Sequence, residues 1–190
     1  NVLTAHPSGV KVLLGPPTPE DAELVNAPGL RKVLEELRRH FHYVLVDTAP
    51  VLREQELAVL DIADRILLIA APEIPTLANV KKFFDLSEKL EYPKDKIMLV
   101  LNRMDKRFGI SPQSIEETLK HPIKAQVPFD DRVVIASVNS GVPFVTGNKN
   151  APPAQSLLDL AHKLKDEFAP KEAPQEKKPA TKPRSLFDRR

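Results

Sequence analysis

"RILLIAAPEIPTLANVKKFFDLSEKLEYPKDKIMLVLNR" runs from Arg65 to Arg103, and its reading decides the fold. Its two ends, "RILLIAAP" (Arg65 to Pro72) and "KIMLVLNR" (Lys96 to Arg103), are apolar at successive rather than alternating positions. That is the pattern of strands covered on both faces. Between them Leu77, Val80, Phe83, Phe84 and Leu90 return with helical spacing from about Thr76. Strand, helix and strand in this order make a parallel crossover unit.

The unit repeats outward in both directions. Upstream, "YVLVD" (Tyr43 to Asp47) reads as another strand apolar on both faces. A helix precedes it, capped by Asn26, with Pro28 in the first turn where a missing N–H costs nothing. Leu30, Val33, Leu34, Leu37 and Phe41 fall on one face of that helix. Further upstream, "VKVLLG" reads as a short buried strand and "PPTPEDAELVN" as a loop that its prolines keep from being helical.

Downstream come a helix near Ser111 to Leu119, a strand "IKAQVP" (Ile123 to Pro128) and a helix from about Asp131. A last helix, near Pro153 to Phe168, sets Leu157, Leu160, Ala161, Leu164 and Phe168 on one stripe. The expected class is α/β, a mainly parallel doubly wound sheet with helices on both faces. The alternation stops at Phe168. Residues 169–190 hold four prolines among lysines and glutamates and read as a disordered basic tail, leaving 1–168 as the folded part.

Bulk properties narrow the function. Hydrophobic residues make up 42% and charged residues 28% of the 190, an ordinary globular balance. The longest apolar run, Ile66 to Pro72, is far short of the ~20 residues of a membrane span. With no cysteine, disulfides, thiolate metal sites and a cysteine nucleophile are excluded. His6, His40, His42, His121 and His162 have no zinc-helix spacing, so a cytoplasmic protein without structural metal is expected. The net charge of +2 divides into about +4 on the tail and about −2 on the body, so no nucleic-acid partner is expected. Residue 1 is Asn with no leader pattern, which reads as a piece lacking its beginning.

In an open parallel sheet, ligands sit beyond the carboxyl ends of the strands. Asp47 stands at such an end, followed by Thr48, Ala49 and Pro50. A carboxylate there suits magnesium held directly or through water, and it equally suits a cap for the next helix. In "LNRMD", Asn102 offers an amide oxygen and nitrogen for a purine edge, and Asp105 can take a base or ribose proton; a turn built on Asn and Asp is the other reading. "VPFDD" sets Pro128, Phe129 and Asp130 at the neighbouring strand end, either completing a base pocket or ending the strand with an N-cap at Asp130 or Asp131. Ser140 in "VNSGVPF" lacks a nucleophile elbow, and a helix end closed by Gly141 explains that stretch better.

Taken in order, "HYVLVDTAP", "ADRILLIAAPEIPTLANVKKFFDL", "LVLNRMDKRFGIS" and "VPFDDRVVIASVNSGVPFV" resemble the later two-thirds of a MinD/ParA-type P-loop ATPase, over roughly Pro7 to Phe168. The branch they resemble most is CpaE/TadZ, the pilus-assembly ATPase-like proteins. The resemblance implies a P-loop NTPase-like sheet and an ATP-dependent homodimer with nucleotide between subunits. It implies Mg2+ near Asp47, and a switch segment from Asp47 to about Leu52 in which Thr48 and Pro50 contact the nucleotide. Asn102 and Arg103 would face the adenine, with Pro128, Phe129 and Asp130 lining the other side, and Asp105 would also contact the nucleotide. The family's "D-x-P-P" switch stands here as "DTAP", with Ala49 in place of one proline.

The family's glycine-rich phosphate loop with its two lysines is not among these residues, and Gly15 in "LLGPPTPE" cannot replace it. It is expected before Asn1. The chain alone is therefore expected neither to bind ATP tightly nor to hydrolyse it, while the intact protein would be an ATPase. Implied partners are secretion, pilus or membrane machinery. Weak contact with anionic lipid at the inner face of the plasma membrane would run through "KPRSLFDRR". A non-catalytic scaffold of the same fold and a MinD-like septum-site regulator stand as alternatives. "VLVDTAP" also resembles the phosphoacceptor strand of a response-regulator receiver, but the acid pair and lysine of that fold are missing.

Overall fold

A computed structural model describes residues 2–105, 107 and 110–169. In chain order the N-terminal part holds β1 (Thr4–Ala5), β2 (Lys11–Val12), α1 (Pro19–Glu23), α2 (Ala27–His40) and α3 (Glu54–Ile62). The central crossover unit follows as β3 (Ile66–Ala70), α4 (Ile74–Lys89) and β4 (Ile97–Met104). It is continued by α5 (Pro112–Leu119), β5 (Ile123–Pro128), α6 (Asp131–Ser140), α7 (Phe144–Gly147) and α8 (Pro152–Phe168).

The sheet is parallel with strand order β3-β4-β5. β3 and β4 pair without a break from Ile66–Ile97 to Ala70–Leu101, while the β4–β5 register shifts between Leu101 and Met104. β4 is the centre because its side chains are apolar on both faces. Leu99 and Leu101, both 0% exposed, pack with Ala70, Val80, Ile115 and Leu119 under α4 and α5. Met98 and Val100 point the other way and meet Val127 and Leu160, with Leu157 and Leu164 of α8 closing that face. The doubly covered parallel sheet read from the sequence is present.

Ends of elements follow local chemistry. Asn26 Oδ1 accepts from the Gly29 N–H at 2.8 Å, and Ser111 Oγ from the Ser114 N–H at 3.1 Å. Each satisfies one of the orphan donors of a helix start. Gly141 ends α6 at φ 67, a left-handed conformation that glycine adopts without steric cost. Asp61 of α3 ties α2 to the segment that leads into β4. Its carboxylate accepts from Arg31 and from the Tyr92 hydroxyl, each at 2.6 Å, and its carbonyl accepts from Lys96 at 2.9 Å. Arg65, just before β3, pairs with Glu167 of α8.

Several expectations fail at the N-terminal side. "VKVLLG" is not a buried strand: only Lys11–Val12 pairs, antiparallel to β1, and both residues are exposed. The loop through Pro16 to Asn26 contains α1, because Pro19 stands in its first turn, where proline is pre-set for a helix, and Thr18 caps it. Residues 43–47 form no strand, and Leu45 is 85% exposed. A strand forms only against a ladder partner, and none of the described residues pairs with this stretch. In α8, Ala161 and Phe168 lie outside the buried stripe. The expected tail, from Pro170 on, lies outside the described residues.

Candidate functional site: the carboxyl ends of β4 and β5

Two sequence candidates, "LNRMD" and "VPFDD", come together. β4 and β5 are neighbours, and their last rungs pair Met104 with Pro128. Just beyond, the Phe129 N–H donates to the Met104 carbonyl at 2.9 Å, so the two tips are tied. Arg103 has φ 56, a left-handed backbone that costs a side-chain-bearing residue about 1 kcal/mol or more. The Asn102 side-chain oxygen accepts from the Arg103 N–H at 2.9 Å, which holds the turn. This conformation lays the Arg103 guanidinium over the Phe129 ring, 5.3 Å from its centre.

The result is an exposed shelf of a guanidinium and an aromatic ring at the sheet's carboxyl edge. Its hydrogen-bonding capacity is narrower than the sequence suggested. Asn102 spends its amide oxygen on Arg103, while its N–H2 donors are uncommitted among the described residues. Asp105 is held by the Arg107 guanidinium and N–H at 2.8 to 3.1 Å, which brings its carboxyl down to about 2. Asp130 caps α6, its Oδ1 accepting from the Val133 N–H at 3.1 Å, so the N-cap is Asp130 rather than Asp131. Pro128 is half-buried beneath this shelf.

Asp47, Thr48 and Pro50 are all exposed. Among the described residues, Asp47 makes no hydrogen bond or ion pair, and nothing joins it to the shelf. No group of three His, Cys, Asp or Glu side chains among them is arranged to hold a metal. The fit to magnesium is therefore partial: Asp47 can supply one carboxylate, and the other ligands would have to be water and phosphate oxygens, as is usual for this ion. The feature not foreseen from sequence is the Arg103–Phe129 stack, since no spacing rule links a left-handed residue to an aromatic ring on the next strand.

Three-dimensional comparison decides the family of folds. The chain superposes on a ParA family ATPase from Chlorobium tepidum with a TM-score of 0.79 at 20% identity, over 85% of this chain and 66% of that one. The fold is that of the MinD/ParA ATPases. MinD of Pyrococcus horikoshii complexed with Mg-ADP matches with a TM-score of 0.72 at 22% identity, over 85% of this chain and 65% of that one. MinD of Aquifex aeolicus in a MinC:MinD complex gives 0.72 at 24%, over 90% and 69%.

Sequence similarity supports homology with the same MinD/ParA group. The septum site-determining protein MinD of Thermotoga maritima is 25% identical over 155 residues, 79% of this chain and 56% of that protein. An uncharacterized ATP-binding protein of Methanocaldococcus jannaschii is 29% identical over 163 residues, 85% of this chain and 60% of its own length. The chain thus spans less than two thirds of the length of these relatives. No family model matches it.

Proposed function

We propose that this chain is the part of a MinD/ParA-type ATPase that holds the nucleotide base and carries the phosphate-sensing segment. In this reading the intact protein converts ATP and water to ADP and phosphate as a homodimer. Its setting is pilus assembly or polar localisation of the CpaE/TadZ kind, in the cytoplasm at the inner face of the plasma membrane. The observation that carries the reading is the shelf of Arg103 over Phe129 at two neighbouring strand tips, the edge of a parallel sheet where ligands collect.

In this site a purine would stack on the Arg103 guanidinium, with the Asn102 N–H2 donating to a ring acceptor and the Asp130 oxygen that is not capping α6 accepting from an exocyclic amine. Asp47 would hold a water of the magnesium shell, and Thr48 to Pro50 would follow the terminal phosphate. Mg-ATP, when bound, supplies the phosphoanhydride bond and the cation that neutralises its charge. A phosphate-cradling loop is not among residues 1–190, so base contacts act here without the larger electrostatic part of nucleotide affinity.

A non-catalytic scaffold of the same fold is the second reading, favoured by one observation: Asp47 is exposed and unpartnered among the described residues. Calorimetric titration of residues 1–190 with Mg-ATP is expected to give no saturable micromolar isotherm, and such an isotherm would contradict the account. Phosphate release by a longer polypeptide carrying a glycine-rich loop separates ATPase from scaffold. Contact of the segment from Pro183 to Arg190 with anionic lipid is tested by co-sedimentation with phosphatidylserine vesicles, and a bound fraction unchanged by its deletion would sink that idea. No helix among the described residues is long and apolar enough to cross a membrane.

A further inference from the structure

Of Asn102, Arg103, Asp105 and Asp130 at the β4 and β5 tips, Asp105 is the one that the proposed base site leaves unused. It lies beside the stack: the Phe129 N–H donates to the Met104 carbonyl at 2.9 Å, and Asp105 is the next residue of the chain. Both of its oxygens are engaged. Oδ1 accepts from Arg107 Nε at 3.1 Å and from the Arg107 backbone N–H at 2.9 Å, and Oδ2 accepts from Arg107 Nη2 at 2.8 Å. This is the two-pronged pairing of a guanidinium with a carboxylate, and it fills the acceptor directions that another flat hydrogen-bonding partner would need.

Those directions decide between purines. Guanine carries two adjacent N–H donors, one on the ring and one exocyclic, which a free carboxylate accepts together. Adenine carries one exocyclic amine beside a ring acceptor, and it asks for one acceptor and one donor. With Asp105 held, the tips present the second pattern: the Asn102 N–H2 as donor and a single Asp130 oxygen as acceptor. With Asp105 released they would add a two-oxygen acceptor suited to guanine. The Arg107 side chain is 73% exposed, so the pair that makes this difference can be broken without touching the core.

We infer that Arg107 sets the base preference of this site by occupying Asp105: held, the site takes adenine over guanine, and released, it takes guanine as well. Arg107 is thus a positioning residue that acts through Asp105 and makes no base contact of its own. The inference rests on the base site proposed above and adds its determinant of specificity. The same pair holds the Asp105 carboxyl down at about 2, so protonation does not release it near neutral pH. Only a change at Arg107 does.

Amide-resolved NMR titration of residues 1–190 with Mg-ATP and, separately, Mg-GTP in the millimolar range tests it, on the parent, on Arg107→Gln, and on Arg107→Gln combined with Asp105→Asn. In the parent, shifts at Asn102, Arg103, Phe129 and Asp130 should follow Mg-ATP, with Mg-GTP about fivefold weaker. Arg107→Gln should tighten Mg-GTP about fivefold while leaving Mg-ATP within about twofold, and adding Asp105→Asn should remove the gain. Arg107→Lys, which keeps the charge without the planar fork, should fall between. A ratio of ATP to GTP affinity that Arg107→Gln leaves unchanged, while Mg-ATP still shifts the tips, would overturn the inference and leave the base site standing. A gain of GTP that survives Asp105→Asn would overturn it as well, because the effect would not run through Asp105. No shift at the tips with either nucleotide in any variant would overturn the base site and the inference with it.

Discussion

The guanidinium of Arg103 lies 5.3 Å from the centre of the Phe129 ring, on a residue whose backbone is left-handed at φ 56. The two effects oppose one another. The conformation costs about 1 kcal/mol or more, and an exposed cation–π contact returns about 0.5 to 1 kcal/mol. Phe129→Leu should therefore lower stability by about 0.5 to 1 kcal/mol in urea unfolding. Arg103→Gly should stay within about 1 kcal/mol of the parent, because relief of backbone strain offsets the lost stack. A loss of stability from Arg103→Gly as large as that of a core deletion would show that the turn is not strained.

Leu101 sets the scale for such a core deletion. It is 0% exposed between Ala70, Val80 and Ile115. Leu101→Ala should cost about 2 to 5 kcal/mol, the transfer term plus an unfilled cavity, read as a lower denaturant midpoint at constant slope. Ile69→Ala on the exposed side of β3 should cost well under that in residues 1–190. Equal costs would mean that the edge of β3 is covered.

The acid limb of stability should report Asp61. The Tyr92 hydroxyl, and after it the Arg31 guanidinium, hold its carboxyl below the ordinary carboxylate value, while burial and the bond to Asp61 hold the Tyr92 phenol above its own. A carboxylate depressed on folding contributes stability that is fully present above its unfolded value, about 3.9, and is lost as pH falls through the folded one. Tyr92→Phe should shrink the fall in unfolding midpoint between about pH 5 and pH 2 while changing the neutral-pH slope little. An unchanged acid limb in the variant would place the titration elsewhere.

Helix capping offers a local check. Asn26→Ala removes the acceptor for the Gly29 N–H and should cost about 1 kcal/mol, with Asn26→Ser recovering most of it. A loss that Ser does not recover would point to packing rather than capping. Gly29 is a poor reporter here, since a side chain on it would press within 3.1 Å of Asn26 Oδ1.

What the sequence made legible was the part whose residues supply each other's partners. "RILLIAAP" and "KIMLVLNR" are strands because each is the other's ladder, and Leu77, Val80 and Phe84 cover them as their helical spacing required. "YVLVD" carries the same apolar signal and fails, because a strand signal states what a segment can do and pairing depends on a neighbour. Proline misled at Pro19, where the first turn of a helix favours it. At the site, the strand-tip positions of Asn102, Arg103, Phe129 and Asp130 were readable. Their hydrogen-bond allegiances were not, since Asn102 serves its own turn and Asp105 serves Arg107.

The measurement that bears most directly on the proposed base site is an amide-resolved NMR titration of residues 1–190 with Mg-ATP in the millimolar range. The account expects weak, fast-exchange shifts confined to Asn102, Arg103, Phe129 and Asp130, with Asp47 to Pro50 unmoved because no phosphate cradle brings them in. Shifts centred elsewhere, or none at all at the β4 and β5 tips, would contradict it.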